Sequence, residues 1–177
     1  MRMNQTIKDM LERRSCRKFK SGMVSRELID QVIEAGLYAA NGMGKQATRI
    51  IAVTNKELRD KIGEDNRIIG GWKEGFDPFY GAPVILIVLG EKDWANRVYD
   101  GSLVMGNLML AAHSLGLGSI WIHRAKEEFE MDEYKSLLKE IGLEGEFEGI
   151  GHCALGYVDG ELPVAAKRKE NHVFYVE

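Results

Sequence analysis

Short β-branched runs alternate along the chain with segments in which apolar residues recur at helical spacing. The short runs are rich in Val, Ile and Leu, which is typical of β-strands. They predict strands over 49–54, 84–89, 119–123 and 148–157. The run VILIVL at 84–89 is apolar at every position, and such a strand is expected to be central and buried on both faces.

Apolar residues three and four positions apart predict the helices between these strands. The predicted helices cover 4–14, Ser25 to about Gly42, Thr54 to about Ile62, 99–115 and 131–141. Ser25 is a favourable N-cap, and Thr54 can form a capping box with Glu57. Residues 64–82 are predicted to be irregular, and 172–176 to be a short extended piece. This order of elements fits a layered α/β or α+β fold.

The helix predicted over 99–115 carries apolar side chains around most of its circumference. They are Leu103, Val104, Met105, Leu108, Met109, Leu110, Ala111, Ala112 and Leu115. A domain of this size rarely covers a helix on all sides. We therefore expect part of this helix to pack against a second copy of the chain.

Composition narrows the class of protein. The chain has 177 residues, 45% of them hydrophobic and 29% charged, which is ordinary for one globular domain. No repeat or linker divides it, so we expect a single domain over 1–177. A net charge of −3 disfavours a dedicated nucleic-acid binder. The sequence has no signal peptide or membrane span, and its two cysteines stand outside any CxxC pattern, so we expect a soluble cytoplasmic protein without membrane partners.

Two basic clusters stand out against this acidic balance. Residues 13–20 hold five basic side chains and no acid, and Lys167-Arg168-Lys169 follows near the end of the chain. Arginine binds phosphate bidentately, and Ser15 adds a hydroxyl donor, so the first cluster could hold a phosphate. A basic helix end that complements the helix dipole in solvent would look the same. The cluster alone leaves both interpretations open.

Other chemistry is poorly supported by the sequence. The four histidines, His113, His123, His152 and His172, lack the spacing of a zinc or di-iron site. No P-loop, GxSxG or GxGxxG motif stands in the required context. A cofactor that brings its own chemistry fits better than a mechanism carried by side chains alone.

The segment RRSCRKF at 13–19 resembles the R-R-S-x-R-x-F opening of FMN-dependent nitroreductase-like proteins. Further similar segments follow in the same order at 79–90, 100–123, 151–157 and 167–169. Together they span nearly the whole chain. The resemblance implies an α+β, three-layer fold with a central mixed β-sheet flanked by helices. It also implies that the long helix is buried at a homodimer interface.

The resemblance also implies a set of FMN contacts. Arg13, Arg14 and Ser15 would bind the phosphate and ribityl chain, with Arg17 at the pyrimidine edge. Lys167 and Arg168 would close the phosphate site. Trp121, Ile122 and His123 would lie near the flavin ring, where a backbone N–H can bind flavin N5. His123 could donate a proton to substrate or be purely structural, and the Trp121 side chain could equally be a core aromatic.

One segment departs from the family pattern. Where the family commonly has Asn-x-Gln-Pro-Trp, this chain has Gly44-Lys45-Gln46-Ala47-Thr48. Gln46 keeps its position, but Gly44 replaces the Asn. The polar contact to the flavin is therefore lost, moved to Gln46 or made by backbone. This departure concerns how the flavin is oriented rather than whether it binds.

The function implied is hydride transfer from NADH or NADPH through flavin N5 to nitroaromatics, quinones or similar electron-poor acceptors, in a ping-pong cycle. The same fold could instead serve reductive dehalogenation, flavin breakdown or a protein electron donor. A non-catalytic module that binds anions or nucleic acid through residues 13–20 is the alternative from another class.

Overall fold

The computed structural model describes residues 3–177. The helices in this range are α1 Gln5–Glu12, α2 Arg26–Leu37, α3 Lys56–Ile69, α4 Arg97–Ser114, α5 Ala125–Glu128 and α6 Asp132–Glu140, with a short 3-10 turn at Gly42–Gly44. The strands are β1 Thr48–Val53, β2 Val84–Glu91, β3 Gly118–Ile122 and β4 Phe147–Gly156. The predicted order of strands and main helices is confirmed.

The strands form one sheet in the order β1-β2-β4-β3. Each strand is antiparallel to its neighbours. The prediction of a mixed sheet therefore needs correction for the described residues, where parallel pairing is limited to a bridge between Ser15 and Ser119. The reason lies in the topology: α4 returns the chain so that β2 and β3 run in the same direction, but β4 is inserted between them.

Helices cover both faces of the sheet, which confirms the three-layer α+β fold. Along β2 the side chains alternate between the two faces. Val84, Leu86 and Val88 join a core cluster with α2 and α4. Ile85, Ile87 and Leu89 join a second cluster with α3 and α6. All six side chains are fully buried, as the uninterrupted apolar run predicts.

Two helices differ from the prediction: α2 ends at Leu37 rather than near Gly42, and α3 differs at both of its ends. α3 begins after Asn55, whose side chain accepts a hydrogen bond from the Leu58 N–H at 2.9 Å, and it continues to Ile69 instead of ending near Ile62. Its buried face includes Arg59 and Asn66, so polar residues mask its helical pattern in the sequence. Residues 172–176 form no strand.

α4 packs only one side against its own chain. Met105, Leu108 and Ala112 are fully buried, whereas Tyr99 is 72% exposed and Leu103 is 50% exposed. Residues of α1 also leave apolar side chains in solvent, among them Met10 and Leu11. Within residues 3–177, none of the helices is both long enough and apolar enough to cross a membrane.

Candidate functional site

The arginine segment that follows α1 runs as an extended chain along the sheet. The Cys16 N–H donates to the Ser119 carbonyl at 2.9 Å, and the Lys20 N–H donates to the Tyr157 carbonyl at 2.9 Å. These bonds attach residues 15–20 to the outer edge of β3 and to the end of β4, almost as an added strand. The segment is therefore held by backbone bonds, which fix where its side chains point.

Side chains alternate along this extended segment. Cys16 and Phe19 are buried in the core, and the Cys16 side chain lies against Gly118, where an added Cβ would be 2.9 Å from the Cys16 Cβ. Burial raises the pKa of the Cys16 thiol. Because Cys16 faces inward, Ser15 and Arg17 face outward.

An open cleft of about 590 Å³ lies beside this segment. We call it the arginine cleft, and its lining residues are Met10, Leu11, Arg13, Arg14, Ser15, Arg17, Pro163, Val164, Ala165, Ala166 and Arg168. It brings together the predicted N-terminal phosphate ligands and Arg168. Lys167 is exposed and is not part of the lining. None of the described lining residues is acidic, so the cleft favours an anion.

The arginines of the cleft differ in their partners. Arg14 Nη1 donates to the Leu11 carbonyl at 2.7 Å and to the Arg13 carbonyl at 2.6 Å, so this side chain caps the end of α1. Arg13 Nη1 is buried and has no acceptor among residues 3–177. A buried donor without a partner costs about 1–3 kcal/mol. Arg13 is thus the arginine whose bonding is left incomplete.

The outer edge of β3 continues away from the arginine cleft. The Ser119 carbonyl accepts from Cys16, so it points away from β4. Backbone groups alternate in direction along a strand, and therefore Trp121 directs its N–H and C=O groups to the same outer edge. Just beyond the strand the His123 N–H follows this direction, whereas the His123 carbonyl accepts from Asn66 Nδ2 at 2.7 Å. In the described part of the chain this edge has no strand partner past Ser119.

A second cleft of about 570 Å³ lies at this end of β3. We call it the tryptophan cleft, and its lining residues are Val98, Ser102, Trp121, His123, Arg124, Lys126, Glu127, Glu148, Gly149 and Ile150. The Trp121 and His123 rings lie 5.8 Å apart. Trp121 Nε1 is a buried donor without an acceptor in residues 3–177. The Ile122 side chain packs into the core on the other face, its backbone pairs with His152 of β4, and Ile122 is not part of this lining.

Gly44 and Gln46 lie in neither cleft. Their segment is fixed to the start of α4, where Asp100 accepts from the Gly42 N–H at 3.0 Å and from Trp94 Nε1 at 2.7 Å. The arginine segment joins the chain beyond the other end of α4, at Ser119. An 18-residue helix is about 27 Å long. Within one chain, the two parts of the predicted flavin site therefore lie at opposite ends of α4.

A buried polar cluster behind β3 was not predicted as part of the site. It consists of Asn66, Glu128 and His152, all nearly or fully buried. His152 lies on β4, within the strand predicted over 148–157. Glu128 is fully buried, although the acid-rich composition of residues 127–148 is typical of a solvated helix and loop. The sequence carries no local signal for the cluster, because Asn66 and Glu128 are 62 residues apart in the chain.

Comparison with known proteins gives a consistent result. The family model described as Nitroreductase family matches residues 10–69 and 71–157. A Methanothermobacter thermautotrophicus protein with the provisional name NADH dehydrogenase/NAD(P)H nitroreductase is 36% identical over 121 residues, which cover 64% of this chain and 60% of that protein. The chain thus spans less than two thirds of this relative's length.

Two solved structures match along their whole length. A nitroreductase with bound FMN from Desulfitobacterium hafniense has a TM-score of 0.88 and 28% identity, covering 99% of this chain and 100% of that one. A nitroreductase with bound FMN from Bacteroides fragilis has a TM-score of 0.87 and 27% identity, with the same coverage. Fold, motif order and family match agree, and the chain belongs to the nitroreductase family.

Proposed function

We propose that this chain is an FMN-dependent oxidoreductase that takes electrons from NADH or NADPH and reduces nitroaromatics, quinones or similar electron-poor compounds. The observation that carries the proposal is the half-buried Arg13, whose buried Nη1 has no acceptor in the described residues, in an acid-free cleft beside the unpaired edge of β3. The bound FMN of the similar nitroreductase structures supports the same cofactor for this chain.

The residues present fit FMN at both of its ends. Arg13, Ser15 and Arg168 offer cationic and hydroxyl donors to a phosphate. Arg17 is exposed at the rim of the arginine cleft, from where its charge can favour the anionic pyrimidine edge of a reduced flavin. The Trp121 indole and the outer edge of β3 supply unpaired hydrogen-bond groups for the ring. Clefts of this size are those that small ligands occupy.

Bound FMN would supply the redox chemistry itself, by accepting and passing on hydride at flavin N5. The chain's own residues would bind and orient it. The His123 N–H, on the outer edge of β3, would donate a hydrogen bond to the ring, and the His123 side chain would be the candidate proton donor to substrate. Because no catalytic side chain is required, the range of acceptors would follow from the shape of the tryptophan cleft.

We also propose that the functional unit is a homodimer of single-domain chains. What supports this is the separation of the Gly44–Gln46 segment from the arginine cleft along α4, together with the exposed apolar side chains Tyr99 and Leu103. If two α4 helices pack antiparallel around a two-fold axis, the Gly44–Gln46 segment of one protomer comes next to the arginine cleft of the other.

Two free, buried cysteines support the reducing cytoplasm as the location of the protein.

The activity is tested by anaerobic titration of the FMN-loaded protein with NADH and with NADPH, followed by addition of a nitroaromatic or a quinone. Bleaching of the flavin band by at least one nicotinamide, and its return with either acceptor, is the expected result. Failure of both nicotinamides, while dithionite still bleaches the flavin, would contradict the proposed donor and favour a protein reductant.

A further inference from the structure

Three polar side chains from different elements meet behind the end of β3. Asn66 belongs to α3, Glu128 to α5 and His152 to β4, and their exposed fractions are 1%, 0% and 0%. Burying a carboxylate is costly unless it is well paired, and apolar replacements of such groups are often neutral or stabilising. A buried polar cluster of this kind is therefore not explained by fold stability alone, and its contacts show which backbone groups it holds in place.

The contacts of the cluster converge on the backbone after β3. Asn66 Nδ2 donates to the His123 carbonyl at 2.7 Å and to Glu128 Oε1 at 2.8 Å. Glu128 Oε2 lies 2.7 Å from His152 Nε2, an ion pair when His152 is protonated. On the other side of its ring, His152 Nδ1 lies 3.4 Å from the Ile122 carbonyl. The cluster thus holds the His123 carbonyl directly and borders that of Ile122.

The clamped carbonyl determines the direction of the next N–H. In a trans peptide the C=O and the following N–H point in opposite directions. Asn66 draws the His123 carbonyl inward, and therefore the Arg124 N–H points away from the core. Arg124 has a φ of +81°, a left-handed conformation that costs a non-glycine residue about 1 kcal/mol or more and persists only where its surroundings impose it.

We propose that Asn66 is a positioning residue of the flavin site. Supported by Glu128 and His152, it holds the His123 carbonyl and the left-handed turn at Arg124, so that the His123 and Arg124 N–H groups are presented toward the flavin. The inference rests on the proposed function for the identity of the cofactor. The clamp itself is a property of the FMN-free chain and can be measured there.

The test compares Asn66→Leu, which removes the amide at similar volume, with Tyr134→Phe. Tyr134 of α6 is equally buried, and its hydroxyl donates at 2.6 Å to Asp65, the neighbour of Asn66 in α3. This hydroxyl bonds to no residue near the end of β3. Asn66→Ser serves as a second variant should the leucine prevent folding. The measurements are amide hydrogen exchange without FMN, the Kd for FMN, and the midpoint potential of bound FMN.

We expect Asn66→Leu to speed exchange of the Glu128 amide, which donates to the Arg124 carbonyl at 3.0 Å, by about tenfold. The same variant should weaken FMN binding by about tenfold and shift the midpoint potential. Tyr134→Phe should leave all three values unchanged. Asn66 variants that match Tyr134→Phe, or that speed exchange without altering FMN affinity or potential, would overturn this inference alone. A wild-type protein that binds no FMN would instead overturn the proposed function on which the inference rests.

Discussion

At the scale of single residues, neighbours in the basic segment have different tasks. Arg14 bonds to the carbonyls at the end of α1, and Lys18 pairs with Asp159 at 2.7 Å outside the arginine cleft. Arg13 alone among these three has a buried nitrogen without an acceptor in the described residues. From the sequence, the segment is either a solvated helix end or a phosphate site. In the structure, Arg14 fits the first description and Arg13 the second.

Arg13 should therefore dominate binding of the FMN phosphate. Arg13→Met removes a charged hydrogen bond, and we expect the Kd for FMN to rise about 10- to 100-fold. Lys18→Met, the matched control, removes an equal charge outside the cleft and should change the Kd by no more than about twofold. Fluorescence titration of FMN checks both values. An equal loss in the two variants would mean that general charge, and not the cleft, attracts the cofactor.

The two cysteines should be unreactive in the native protein. Burial raises the pKa of the Cys16 thiol and raises that of Cys153 to about 12. Since the folded pKa values lie above the unfolded value of 9.0, both thiols contribute stability that is fully present below about pH 9 and lost as the pH rises further. A thiol-specific chromogenic reagent at pH 8 should label neither cysteine until denaturant is added. Rapid labelling of the native protein would contradict this burial.

At the scale of elements, the site depends on how the arginine segment attaches to β3. The attachment needs Gly118 at the start of the strand, because a Cβ there would lie 2.8 Å from Val158 Cγ2 and 2.9 Å from the Cys16 Cβ. Those two neighbours belong to the chain segments on either side of the strand. A small residue at this position therefore allows the basic segment to lie close enough for its backbone bonds to Ser119.

Gly118→Ala should displace the arginine segment. The added methyl overpacks a buried site, and we expect the free energy of unfolding to fall by about 1–3 kcal/mol, with weaker FMN binding because Ser15 and Arg17 move. Gly22→Ala is the control, since no atom lies within 4 Å of the added Cβ. Urea denaturation of the two variants measures the difference. A wild-type midpoint for Gly118→Ala would show that the segment is not held there.

At the scale of the whole molecule, α4 separates the Gly44–Gln46 segment from the arginine cleft and leaves Leu103 half exposed. If a second copy covers α4, Leu103→Glu should break the dimer and weaken FMN binding together, because a charge is costly in an apolar interface. Ile141→Glu changes a similarly exposed apolar residue outside α4 and should do neither. Sedimentation velocity of the FMN-loaded proteins measures whether each variant is a dimer. A dimer unaffected by Leu103→Glu would show that the interface lies on another surface.

Sequence patterns predicted the strands, α4 and the start of α2, because each follows from a local run of residues. The family resemblance, and not a local pattern, named the basic residues of the arginine cleft. Sequence patterns did not predict contacts between distant segments. Asn66 lies where the sequence predicts an irregular stretch, and its partner Glu128 lies in an acidic stretch that is typical of a solvated face. The antiparallel pairing of every strand neighbour also depends on where β4 inserts, which no local pattern specifies.

Whether the arginine segment holds a flavin phosphate is tested most directly by titrating the FMN-free protein with FMN and with riboflavin, which lacks the phosphate. We expect FMN to bind at one molecule per chain and riboflavin to bind at least about a hundredfold more weakly, because the charged bonds to Arg13 and its neighbours are missing. Equal affinities for the two flavins, or no binding of FMN, would contradict a phosphate site in the arginine segment.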